Sequence, residues 1–128
     1  MWEYRFLYRD LDELASRERK LGTAWVLHGV QGTGKGTLYD KILCPIFNKK
    51  HCLEKLVQQF EDTFNADLEH ATFCVIDESK ADSARNLNGF MAKLQNAITD
   101  VHMNYRAMQR NHRMGANYTN YILNSNNL

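Results

Sequence analysis

The sequence predicts an α/β domain built on a mainly parallel sheet, and three short apolar runs predict it. Thr23-Ala24-Trp25-Val26-Leu27-His28 runs into a glycine-rich loop. Ala71-Thr72-Phe73-Cys74-Val75-Ile76 ends in Asp77-Glu78, and Tyr118-Thr119-Asn120-Tyr121-Ile122-Leu123 ends in Asn124-Ser125-Asn126-Asn127. Each run has the length and composition of a buried strand. Helical patterns lie between them, and strands alternating with helices favour parallel pairing.

In chain order, residues 2–20 predict a helix. Trp2, Phe6, Leu7, Leu11 and Leu14 fall mostly on one stripe, and a basic end (Arg17, Arg19, Lys20) precedes Gly22. The first strand, the loop and a second helix follow. In that helix Leu38, Ile42 and Leu43 recur at helical spacing, and Pro45 is expected to end it. Residues 51–60 are ambiguous: Leu53, Leu56, Val57 and Phe60 suit a short helix. Residues 61–70 read as a polar connection to the second strand. Residues 84–98 form a helical pattern through Leu87, Phe90, Met91, Leu94 and Ile98. Two strand-like pieces follow near 100–104 and 107–113, joined by a turn around Tyr105 and Arg106. The third strand closes the order.

The loop is Gly29-Val30-Gln31-Gly32-Thr33-Gly34-Lys35-Gly36-Thr37. Its outline is G-x-x-x-x-G-K, a phosphate-binding loop. Glycines let the backbone turn tightly and aim N–H groups at an anion, and Lys35 adds a full positive charge. The flanking strand and helix are the context that the motif needs. Gly29, Gly32, Thr33, Gly34, Lys35, Gly36 and Thr37 are therefore the candidate nucleotide-binding residues. One position departs from the pattern. The residue after the lysine is normally Ser or Thr, whose hydroxyl ligates Mg²⁺. Here it is Gly36, so either Thr37 serves or water completes the metal shell.

Asp77 and Glu78 stand at the carboxyl end of an apolar strand, the edge where open α/β sheets bind ligands. A phosphate-loop site needs an acid to hold Mg²⁺ and a base to orient water. Asp77 is the candidate for the metal and Glu78 for the water. Asn126, after the third strand, is the candidate polar group beside the terminal phosphate. By itself it also suits a turn.

The whole chain has 128 residues, enough for one compact domain, and a hydrophobic content of 44% suffices for a core. Net charge is +1, but acids outnumber bases in the first 78 residues and bases outnumber acids beyond. Cys44, Cys52 and Cys74 are odd in number and irregular in spacing, which argues against a disulfide framework. No cysteine or histidine spacing suits zinc, and no apolar stretch reaches membrane-spanning length. A reduced, intracellular compartment fits.

The loop Gly29–Thr37, the run Phe73–Glu78 and the run Tyr121–Asn126, in this order within roughly a hundred residues, resemble the Walker A, Walker B and C motifs of superfamily 3 helicases. The likeness is greatest to the helicase part of phage and plasmid primase–helicases. It implies a P-loop NTPase core of AAA+ type with a mainly parallel sheet and a β-hairpin, spanning 21–128 after an N-terminal helical segment, 1–20. It further implies an ATP- and Mg²⁺-dependent helicase moving on single-stranded DNA. The parent would be a homo-hexamer in the cytoplasm of a bacterial host. Carried over, Lys35 holds the phosphates, Asp77 the Mg²⁺, Glu78 the attacking water, and Asn126 senses hydrolysis. The family's basic region maps onto Lys93 in the helix and onto Tyr105 and Arg106 at the hairpin tip, as DNA contacts.

The family continues past the sensor asparagine, so the resemblance also implies that this chain is a truncated core. Two other readings stay open. The string Gly32–Thr37 resembles the loop of adenylate-type kinases, and the basic second half suits a non-catalytic DNA- or protein-binding fragment.

Overall fold

The computed structural model describes residues 20–77 and 87–125. The expected helix over 2–20, apart from Lys20, lies outside the described residues. Four strands form one sheet: β1 (Ala24–His28), β2 (Cys52–Leu56), β3 (Phe73–Asp77) and β6 (Asn120–Ser125). Their spatial order is β1-β6-β3-β2, and every neighbouring pair is parallel. The α/β class with a mainly parallel sheet is therefore correct. A separate antiparallel hairpin joins β4 (His102–Tyr105) and β5 (Arg113–Ala116).

Helices cover both faces of the sheet, which explains the unbroken apolar run in β3. Phe73 and Val75 face one layer with Leu27, Ile122, Tyr39 and Leu43. Cys74 and Ile76 face the other, with Phe60, Phe90, Leu94 and Tyr121. Phe60 stands edge-on to both Phe90 and Tyr121 and ties the second layer together.

The first layer is helix α1, a continuous run of three pieces. It opens as an α turn, Lys35–Thr37, widens into a π segment, Leu38–Leu43, and closes as Cys44–Phe47. Pro45 does not end it. A proline usually breaks a helix because it lacks an N–H and crowds the carbonyl four residues back. Here it stands just after the widened turn, where Cys44 N–H donates to Tyr39 O and the four-residue ladder is already interrupted. Asn48, at φ 71, ends the run instead.

Residues 51–60 resolve into two elements. β2 supplies Leu53 and Leu56, and α2 (Val57–Glu61) supplies Val57 and Phe60. Two short elements in succession imitate one helical pattern. Helix α3 (Leu87–Thr99) is as expected over its described part. Its last carbonyls are capped from afar: the Lys20 ammonium donates to Ala97 O and Asp100 O, and the Asn117 amide donates to the same two.

The hairpin is a correction. Tyr105 is not at the tip but is the last residue of β4, 2% exposed, and its hydroxyl donates to Ala116 O. The connection runs over 106–112. Gly115 faces the Tyr105 ring so closely that a Cβ there would stand 3.0 Å from it.

Candidate functional site

β1 ends at His28, and the Gly29 N–H donates to Ser125 O, extending the β1–β6 ladder by one bond. The chain then leaves the sheet as the glycine loop. Gly32 and Gly34 have φ 86 and 90, a region that L side chains rarely adopt. The Thr33 hydroxyl closes the loop by donating to Val30 O at 2.9 Å. Lys35 opens α1, and its ammonium turns back to donate to Gly29 O at 2.5 Å and Val30 O at 3.1 Å. Gly36 is exposed, and a Cβ there would meet nothing within 4 Å. Thr37 is exposed on the same turn.

A cleft of about 470 Å³ opens above the carboxyl edge of the sheet. The loop forms one wall, from Gln31 to Thr37. Asp40 and Lys41 of α1, Glu54 of β2, Asp77 of β3 and Asn124 of β6 form the rest. Asp77 and Asn124 are register partners on adjacent strands. Alternation along each strand puts Glu54, Asp77 and Asn124 on the face that α1 covers, with Cys52, Phe73, Val75 and Ile122. The cleft thus pairs a lysine and a glycine loop on one side with oxygen donors on the other. Such a site can take a polyanion together with a hydrated cation.

The structure brings Gly32, Thr33, Gly34, Lys35, Gly36, Thr37 and Asp77 together around this cleft. Gly29 sits at the loop's base. Glu78 and Asn126 lie outside the described residues. Among the described residues, no three of His, Cys, Asp and Glu gather into a metal-holding group. A hard cation here would depend on phosphate oxygens and water as well as on the protein.

Gln31, Asp40, Lys41, Glu54 and Asn124 line the cleft without having been candidates from the sequence, and the two that stand on strands are instructive. Glu54 was hidden by the ambiguity of 51–60; with β2 recognised, it is an acid in a strand that ends at the cleft. The polar run after Leu123 places Asn124 beyond the last strand, whereas β6 runs to Ser125. Asn124 is 8% exposed, and its Oδ1 has no hydrogen-bond partner among the described residues.

The three residues expected on DNA, Lys93, Tyr105 and Arg106, are not among those lining this cleft. Lys93 donates to Asp62 O at 3.2 Å and stands 5.5 Å over the Phe60 ring. Burial lowers its pKa, Glu61 and Asp62 opposing the shift and Lys55 adding to it. The Arg106 guanidinium lies 5.5 Å from the Phe64 ring, and its backbone N–H donates to Asn65 Oδ1. Both cations therefore brace the connection after α2. Tyr105 is buried, and burial raises its phenol pKa, with Glu69 adding to the rise. Among the described residues no helix is long and apolar enough to cross a membrane.

Comparison with known proteins agrees with a replication setting. The chain is 28% identical over 109 residues to the DNA primase-polymerase of Nitratiruptor phage NrS-1, covering 85% of this chain and 15% of that protein. The apo structure of the NrS-1 C-terminal region superposes with a TM-score of 0.83 at 27% identity, over 95% of this chain and 29% of that one. Its A form gives 0.79 at 25% identity, over 95% and 28%. The likeness to a phage replication protein thus stands, but the expected ATP-dependent helicase is corrected. These relatives are a primase-polymerase and the NrS-1 C-terminal region, and neither is described as a helicase. A family model described as a family of unknown function, DUF5906, matches residues 27–128, and the chain belongs to that family.

Proposed function

We propose that this chain is a nucleoside-triphosphate-binding module of a DNA-replication protein of the primase-polymerase kind. Its core is of P-loop type, with ATP or another triphosphate held with Mg²⁺ in the cleft and with DNA as the partner of the larger system. The observation that carries this reading is Lys35, which opens α1 after a loop whose Gly32 and Gly34 take left-handed φ, and which shares a cleft with Asp77. The loop N–H groups and the ammonium suit phosphate oxygens. Asp77 suits the cation that accompanies them. The likeness to a phage DNA primase-polymerase supports the setting, since such an enzyme handles both nucleotides and DNA. The chain spans 15% of that relative, so what it contributes is one module.

The test is calorimetric titration of ATP and of dATP, with Mg²⁺, into wild type and Lys35→Ala. Wild type should bind, and the variant should bind at least about tenfold more weakly, since a hydrogen bond to a charged group contributes about 1.5–3 kcal/mol. Equal affinity in the two proteins, or none in either, would overturn the proposal.

A further inference from the structure

Gly36 takes from the loop the hydroxyl that usually reaches the Mg²⁺. Across the cleft, Asn124 has an oxygen without a partner. The side chain is 8% exposed, it lines the cleft, and Oδ1 is buried with no hydrogen bond from any described residue, so a turn of the amide is what would bring this oxygen to an ion in the cleft. A buried acceptor left unpaired costs about 1–3 kcal/mol, so a site that keeps one has a use for it.

The surroundings say what kind of ligand would satisfy it. Asn124 is the register partner of Asp77, and neighbouring strands run about 4.8 Å apart. An amide oxygen beside a carboxylate is a pair of oxygen donors, and a cation between them would satisfy the unpaired amide oxygen. Glu54 adds a third oxygen group to the same wall. Amide and carboxylate oxygens are the donors that hard divalent cations choose. Two carboxylates are too few to hold such an ion alone, but Mg²⁺ normally takes one or two of them and completes its shell with phosphate and water.

We infer that Asn124 is a cation ligand: its Oδ1 joins the Asp77 carboxylate in holding the divalent ion that enters with the triphosphate, in place of the hydroxyl that Gly36 lacks. This rests on the nucleotide reading above. The amide role fits the site's position, because Asn124 and Asp77 are register partners that line the same cleft as Lys35.

The experiment is titration of Mn²⁺ in the presence of ATP, followed by electron paramagnetic resonance, with ATP binding in EDTA measured separately. Wild type is compared with Asn124→Ala and Asn124→Asp, each checked by thermal melting. Asn124→Ala should bind Mn²⁺ at least about tenfold more weakly, the loss of one charge-assisted contact. Its ATP binding in EDTA and its melting temperature should not fall. Asn124→Asp keeps the oxygen and should retain or tighten Mn²⁺ binding. A structural asparagine would instead lower the melting temperature in both variants and leave Mn²⁺ affinity unmoved in whatever remains folded. Unchanged Mn²⁺ affinity in Asn124→Ala, with ATP still bound, overturns this inference alone. Wild type that binds no ATP overturns the nucleotide reading and this inference with it.

Discussion

The Lys35 ammonium donates to the carbonyl of Gly29, at the opposite end of its own loop. This bond ties the two ends of the glycine loop together. On the proposed nucleotide reading, phosphate binding would be an exchange, in which carbonyl acceptors give way to phosphate oxygens. The ammonium already makes a charge-assisted bond to a neutral carbonyl, and a phosphate oxygen would add the attraction of a second full charge, so on the nucleotide reading the exchange runs toward the ligand. Lys35→Ala should therefore do two things. Triphosphate affinity should fall at least about tenfold, and the loop should become more accessible to limited proteolysis in the absence of ligand. Unaltered cleavage at 29–35 would show that the Lys35–Gly29 bond does not hold the loop.

Gly34 and Gly36 should respond in opposite directions to the same substitution. Gly34 has φ 90, so Gly34→Ala should cost about 1–2 kcal/mol of stability and weaken triphosphate binding through the distorted loop. Gly36 lies inside a helical turn with open space around it. Gly36→Ala should stabilise by about 0.5–1 kcal/mol, because alanine loses less backbone freedom on folding. Urea unfolding of the two variants checks the pair, and a shift of the same sign in both would refute the assignment.

The loop and β3 were legible because each carries a strong local signal. β3 is apolar on both faces, and the glycines stand at motif spacing. Glu54 and Asn124 were not legible, since their roles depend on where strands stop. The helical spacing of Leu53, Leu56, Val57 and Phe60 concealed β2. The polar run after Leu123 looked like a turn, although parallel pairing with β3 carries β6 on to Ser125. Tyr105 failed for a related reason. An aromatic beside an arginine reads as an exposed turn, and only the packing against Gly115 reveals a core residue. The expected DNA roles of Lys93 and Arg106 came from the family resemblance, whereas their contacts with Asp62, Phe64 and Asn65 are tertiary.

Lys55 is a charge inside β2, 7% exposed, and its ammonium reaches both oxygens of Asp67 at 3.0 and 2.9 Å. Removing one partner of such a pair leaves a desolvated charge. Asp67→Ala should destabilise by about 1–3 kcal/mol, below the figure for a sealed pair because the Asp67 side chain is half exposed and water can reach the ammonium. Lys55→Met, which removes the charge and keeps the volume, should fall within about 1 kcal/mol of wild type. Denaturant unfolding separates the two. An Asp67→Ala variant as stable as wild type would mean that water already solvates Lys55.

Cys74 lies at the centre of β3 with no exposure. Burial pushes its thiol up from 9.0 to about 12; nearby Lys55 opposes the shift and Asp67 adds to it. Above pH 9 the unfolded chain gives up this proton while the folded chain keeps it, so the folded state binds more protons. Stability must then fall as pH rises from about 9 through about 12, by at most about 1.4 kcal/mol per unit from this thiol. Cys52 is raised to about 12 as well, mainly by burial and then by a thiol hydrogen bond with Cys44, and adds to the same alkaline loss. Urea unfolding at pH 7, 9.5 and 10.5 should show the decline, and Cys74→Val should make it shallower. In native protein at pH 8, Cys74 should also resist a thiol reagent until urea exposes it. A Cys74→Val variant with the wild-type slope would remove this thiol as a source of the alkaline instability.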